Sequence, residues 1–214
     1  MSNIKDLIAE FCPDGVEFKP LGEVCDYVDY RGKTPKKSNE GIFLVTAKNI
    51  RKGYIDYEKS QEYILPELYN EVMHRGLPKI GDVLITTEAP LGNVAQVDNE
   101  NIALAQRVIK YRPKDEKILN STFLKYVLLG TTFQAQLEKV STGGTVKGIK
   151  GSVLHTLKIP IPPLPVQKEI ARILDSLTEL TTNLISELET EIAARKKQYE
   201  YYRDKLLTFE EATK

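Results

Sequence analysis

The sequence is poor in the residues that build metal and nucleophilic sites. Its 214 residues include two cysteines, Cys12 and Cys25, and two histidines, His74 and His155, each isolated from the others. No metal-ligand set can be assembled from them. Without a CxxC pair, the plain reading is a reduced, cytoplasmic protein whose thiols are structural. Charge of one sign is lacking too, since 30 Lys plus Arg balance 30 Asp plus Glu. A net charge of zero does not announce a nucleic-acid binder. No run of eighteen apolar residues and no charged-then-apolar leader occurs, so neither a membrane span nor an export signal is expected. A last absence locates the organising element: after Pro165 there is no further proline or glycine.

From about Val166 to Thr208 the pattern is that of one helix. Stripe positions fall at Ile170, Leu174, Leu177, Thr181, Leu184, Leu188, Ile192, Arg195, Tyr199, Tyr202 and Leu206. The steps alternate between four and three except for a double four around Leu188, which is a heptad seam with a central stutter. At 1.5 Å per residue the rod is roughly 60 Å long, too long to bury its stripe against a small domain, so it requires a partner helix. A second copy lying antiparallel about Leu188 sets Leu206 on Ile170, Tyr202 on Leu174, Tyr199 on Leu177, Arg195 on Thr181 and Ile192 on Leu184. Large side chains then meet aliphatic ones in nearly every layer. A parallel pair would stack Arg195 on Arg195, a like-charge contact away from water. All eleven stripe residues are therefore assigned to a homodimer interface. Flanking charges agree in part, with Arg172 near Asp204 and Glu179 near Lys197 but Glu187 near Glu189.

The remaining residues suffice for one domain with its own core. The expected class is α+β: residues 1–159 form a mixed α/β domain with a twisted, mainly antiparallel sheet and short helices. A proline-rich junction (160–165), the long helix (166–208) and a tail (209–214) follow. An amphipathic segment, Ile4, Leu7, Ile8 and Phe11, should dock on the domain and end at Pro13-Asp14-Gly15. Ile42–Val45 reads as a buried strand, Tyr54–Tyr57 as a strand returning across Gly53, and Pro66–Met73 as a short helix. Val83–Thr87 and Val94–Val97 form a hairpin, and Ile102–Tyr111 a third strand containing Gln106 and Arg107, followed by a loop with Lys110, Arg112 and Lys114. Residues 121–140 keep helical spacing interrupted by Gly130.

Basic and polar residues gather where the chain turns. The first loop carries Arg31, Lys33, Lys36 and Lys37; a second group, Lys48, Asn49, Arg51 and Lys52, follows the buried strand. Such cations suit phosphate contacts, although a solvated loop kept soluble by lysines fits the same residues. Asn49 and Gln106 have the chemistry to read adenine, and Arg51 to read guanine; an inward-pointing amide would instead be a satisfied core group. Thr87 lies near the hairpin tip. The segment STGGTVKGIKG adds Thr142, Lys147 and Lys150. Its glycines can bring amides against phosphate, but it lacks the spacing of a P-loop, which argues against an ATP site. These fourteen residues, Arg31, Lys33, Lys36, Lys37, Lys48, Asn49, Arg51, Lys52, Thr87, Gln106, Arg107, Thr142, Lys147 and Lys150, are the DNA-binding candidates. None is assigned a catalytic or metal-binding role.

The stretch STGGTVKGIKGSVLHTLKIPIPPLPVQKEIARILDSL, followed by ARKKQYEYYRDKLLTF, resembles the junction between a target recognition domain and a conserved helix in specificity subunits of Type I restriction-modification systems. GVEFKPLGEVCDYVDYRGKTP and GDVLITTEAPLGNVA extend the resemblance over nearly the whole chain. Family members normally hold two such units in tandem; this sequence has one of each, as in a half-length subunit that dimerises or the first half of a longer one. The resemblance implies a non-enzymatic reader of double-stranded DNA that docks methyltransferase subunits and, through them, an ATP-dependent restriction subunit. Consistent with that, the sequence has no Asn-Pro-Pro-Tyr or Asp-Pro-Pro-Tyr motif, no methyl-donor glycine loop, no Walker pair and no nuclease cluster. S-adenosylmethionine, ATP and magnesium would belong to the partner subunits, and no cofactor is expected in this chain. A coiled-coil adaptor whose head binds protein is the competing reading.

Overall fold

A computed structural model describes residues 4–30 and 35–209. The chain forms two units, the first running through Ala171 and the second beginning at Arg172. The first is a mixed α/β domain built around a four-stranded antiparallel sheet of β2 (Cys25–Asp29), β8 (Val108–Pro113), β5 (Val83–Thr87) and β6 (Leu91–Gln96), in that order. A three-stranded sheet has β3 (Ile42–Val45) at its centre, antiparallel to β4 (Tyr63–Ile64) and parallel to β7 (Ile102–Leu104). The short ribbon of β1 (Glu17–Pro20) and β9 (Lys158–Ile161) is antiparallel.

The four-stranded sheet is buried on both faces, which is why β5 reads as five consecutive buried residues rather than the alternation of a half-solvated strand. Val83, Ile85, Val94, Ile109 and Tyr111 face a core completed by Phe123, Leu124 and Leu128 of α4 (Ser121–Leu129) and Phe133 and Leu137 of α5 (Thr131–Val140). Leu84, Ala95 and Val108 face a second core with Leu44, Val45, Ile64, Ile102 and Leu104 of the three-stranded sheet. Asn120 caps α4, its side chain accepting from the Phe123 N–H at 2.8 Å; such a cap contributes about 1 kcal/mol. Gly92 lets the hairpin meet α5 closely: with φ +80°, a Cβ there would stand 2.6 Å from Gln134 Oε1.

Several expectations change. Ile102–Tyr111 is two strands in two sheets, broken at Ala105–Arg107, so Gln106 and Arg107 occupy a turn. Lys110 and Arg112 belong to β8 instead of a loop. Tyr54–Tyr57 makes only an Ile50–Ile55 bridge, because its backbone is drawn into the Asn49 network described below. The amphipathic α1 (Ile4–Phe11) forms but buries none of its residues.

The final helix, α7, spans Leu164–Leu207. Its opening turns belong to the first unit, where Val166, Gln167 and Ala171 are buried. Gln167 is the fastening: its Oε1 accepts from Asn120 N–H at 2.8 Å, and its Nε2 donates to the carbonyls of Ile118 and Pro162, both at 2.7 Å. Ile170 packs against the first core. It is thus a docking residue of the domain, which corrects its place in a purely intermolecular seam. In the second unit, Leu177, Leu184, Leu188, Ile192, Tyr199, Tyr202 and Leu206 are each between 51% and 71% exposed. Arg195 is held on its own helix by Glu191 (2.8 Å) and Gln198 (2.9 Å).

Cys25 is buried in the first core. Burial pushes its pKa up to about 12 from an ordinary 9.0. Because the folded value is raised, the associated stability is complete below pH 9 and drains away as pH climbs toward 12. Urea titrations at pH 8.5, 9.5 and 10 should show the unfolding free energy declining from about pH 9 upward, with a limiting slope of about 1.4 kcal/mol per unit. Cys25→Ala should flatten the slope between pH 9 and 10. Tyr30, Tyr57 and Tyr111, also raised chiefly by burial, join only from about pH 10.

Candidate nucleic-acid interface

Parallel pairing of β3 with β7 brings their C-terminal ends to one side, where Ala105 N–H donates to Val45 O at 2.9 Å. Antiparallel pairing of β5 with β8 brings the hairpin tip to the same place, where Thr87 N–H donates to Arg107 O at 2.9 Å. The result is a cleft of about 170 Å³. Its walls include Lys37, Thr46, Lys48, Ala89, Gln106 and Arg107. Sequence-distant candidates are thus gathered by topology, with Lys48 and Arg107 exposed and Gln106 half-buried. Within the cleft, Lys37 pairs with Glu62 at 2.7 Å, and an Arg107 guanidinium nitrogen lies 3.4 Å from Glu88 Oε1.

The glycine-rich loop joins the hairpin tip. Ile149 N–H donates to Thr87 O at 3.0 Å, and Glu88 forms a β-bridge with Gly148. Thr142 and Gly148 exchange both backbone hydrogen bonds, closing the loop on itself. Thr142, Lys147 and Lys150 are exposed. Lys147 is bonded to Glu138, whose carboxyl it holds below the ordinary carboxylate range. That contact neutralises part of the loop's positive charge. Lys36 is exposed on its own loop, while Arg31 and Lys33 lie outside the described residues.

Two candidates are corrected. Asn49 is fully buried. Its Oδ1 accepts from Thr46 N–H (2.9 Å) and Thr46 Oγ1 (2.8 Å), while Nδ2 donates to the carbonyls of Asp56 (3.0 Å) and Lys59. Every polar position of the amide is engaged with the chain itself, so Asn49 shapes the loop and has nothing left for a base. Thr87 is 3% exposed; it supplies backbone contacts to both neighbouring loops. Arg51 is bound to Asp56 at 3.3 Å, beside exposed Lys52. That turn is anchored on β6, with Gly53 N–H donating to Val94 O (2.8 Å) and Asn93 Nδ2 to Ile50 O (2.8 Å).

Sequence reasoning missed the charge cluster at the other end of β5 and β8. Asp82 is 2% exposed and Lys110 4%. Arg112 donates twice to Asp82, at 2.6 and 2.7 Å, and Lys110 Nζ stands 3.4 Å from the same carboxylate. Hydrogen bonding to Asp82 raises the Arg112 pKa, whereas burial lowers that of Lys110 despite the carboxylate. Both cations also donate to Leu77 O, at 3.0 and 3.2 Å. The cluster is structural: Asp82 and Leu77 O tie both cations to the fold. Charged residues flanking a buried strand are its sole signal in the sequence.

The profile of the Type I restriction modification DNA specificity domain matches residues 13–194. The specificity subunit of the Type I restriction enzyme EcoR124I/EcoR124II from Escherichia coli is 30% identical over 215 residues, covering 96% of this chain and 51% of that protein. The MjaVIII specificity subunit of Methanocaldococcus jannaschii is 31% identical over 195 residues, covering 86% and 44%. The chain therefore spans about half the length of these relatives. Its fold is similar to the crystal structure of a Type I restriction-modification S subunit from M. genitalium, with a TM-score of 0.60 at 18% identity, over 86% of this chain and 45% of that one. On the extent of the profile match, the chain belongs to the family of Type I restriction modification DNA specificity domains.

Proposed function

We propose that this chain is a non-catalytic specificity component of a Type I restriction-modification complex, reading one half of a bipartite DNA site while a second copy reads the other. The observation that carries the reading is the long apolar seam left open on α7, from Leu177 to Leu206. A stripe of that length is ordinarily covered by another helix, and the sequence order favours an antiparallel copy. Two domains related by a two-fold axis then present one reading surface in opposite directions, so the preferred site is an inverted repeat with a nonspecific spacer. Lys48, Lys36 and Lys150 fix register on phosphates, and the cleft supplies base contacts. Methyltransferase subunits dock on the helical pair and, with a restriction subunit, bring S-adenosylmethionine, ATP and magnesium.

With zero net charge, the isolated chain should bind DNA weakly and the complex with its methyltransferase tightly. Electrophoretic shifts with and without that partner measure the difference, and mapping modified adenines in cells carrying both gives the site. The expected motif is dyad-symmetric. A motif without dyad symmetry overturns the two-copy arrangement, and equal shifts with and without the partner overturn the division of labour.

A further inference from the structure

We propose that Arg107 is a base-reading side chain of this half-site and that the base it reads is guanine; the inference rests on the DNA-reading role above. Arg107 sits in the three-residue turn that carries the chain from β7 in one sheet to β8 in another, with φ +71°. A side-chain-bearing residue in that conformation is strained and persists where the surroundings over-determine it. Glycine would make the same turn without strain. A large cation kept there is accounted for by what its side chain does. Ala89, across the cleft, is also at positive φ, +47°, so two of the strained residues among those described frame one small space.

The surroundings aim the side chain. Arg107 O is held by Thr87 N–H and Ala105 N–H by Val45 O, which fixes the backbone of the turn, and Glu88 Oε1 stands 3.4 Å from one guanidinium nitrogen. The side chain is still 49% exposed. Glu88 faces one nitrogen, Nη2, of a guanidinium that carries five N–H donors. A guanidinium oriented before binding loses less freedom on contact than a mobile one. Two parallel N–H donors match the O6 and N7 acceptors of guanine in the major groove, whereas adenine sets an amino donor against them. Lys37 on the same cleft is neutralised by Glu62, while exposed Lys48 can hold the flanking phosphate.

The test maps modified adenines in cells expressing the full chain with its methyltransferase partner, comparing wild type with Arg107→Ala, Arg107→Lys and Arg107→Gly. The expected wild-type half-site contains a fixed guanine. In the Ala and Gly variants preference at that one position should drop by about 5- to 150-fold while the other positions are retained; Lys should retain part of it. Arg107→Gly relieves the backbone strain, so it separates loss of the side chain from loss of the turn. A half-site without guanine, or variants that weaken marking at every site equally, would make Arg107 a phosphate contact and overturn the assignment. A folded Arg107→Gly protein that marks nothing overturns it as well. Failure of the broader reading looks different: a wild-type chain that, with its partner, shifts no DNA and marks no adenine removes both.

Discussion

Replacing Leu184 and Leu188 with glutamate is expected to halve the sedimenting mass, from that of two chains to the 24.2 kDa of one, while the globular domain keeps its melting transition. Both leucines lie in the second unit, more than half exposed in the single chain, and neither belongs to either core. In an antiparallel pair centred on Leu188 the two positions occur twice each, so four leucines are lost from the middle of the seam. At roughly 1.5–3 kcal/mol for each fully buried leucine, about 6–12 kcal/mol of apolar burial goes. Clustered carboxylates in its place repel one another. Dissociation should strengthen by at least about 10,000-fold, enough to give monomer at micromolar concentration. Sedimentation equilibrium on the full chain reads the outcome directly, and an unchanged mass in the double variant would remove the seam as the dimer contact. Where the monomer is obtained, marking of inverted repeats should vanish with it.

How much of this was legible in the sequence depends on whether a feature is local. The long helix is local: the absence of proline and glycine after Pro165 and the spacing from Leu174 to Leu206 are visible without knowing the rest of the fold. The hairpin of β5 and β6 is local as well. The turn at Gln106–Arg107 is not. Ile102 to Tyr111 is interrupted at Gln106–Arg107, which a single strand with two polar residues would also show, and what sends the two halves to different sheets is the parallel pairing of β7 with β3, some sixty residues earlier. Asn49 failed for a chemical reason, since an amide that can read adenine is equally able to tie Thr46 to Asp56, and the residue type does not distinguish the two. Ile170 follows the stripe's spacing faithfully, yet the domain claims it because Gln167 pins the start of the helix to the loops around Asn120 and Pro162.

Asp82→Ala is expected to be the most destabilising single substitution in the domain, at about 3–5 kcal/mol, because it strips the counter-charge from two cations held in the fold. The cluster depends on strand register. Val83 pairs with Tyr111, so Asp82, one residue before β5, meets Arg112 beside it and Lys110 one step along β8. Without the carboxylate the Lys110 ammonium, 4% exposed, keeps only Leu77 O as a hydrogen-bond partner among the described residues. Domains of this size are stable by about 5–15 kcal/mol, so the variant should be largely unfolded well below the wild-type midpoint in urea. Lys110→Met should be far milder, since it removes a charge that burial already disfavours and leaves the bidentate Arg112 pair intact. Placing Lys110→Met in the Asp82→Ala background should recover part of the loss, and the double-mutant cycle gives the coupling directly. Raising salt from 0.1 to 1 M should change the wild-type value little, because a pair removed from water is weakly screened. A cost below about 1 kcal/mol for Asp82→Ala would mean the cluster behaves like a surface ion pair, and the account of what fixes β5 against β8 at the end of the sheet away from the cleft would fall.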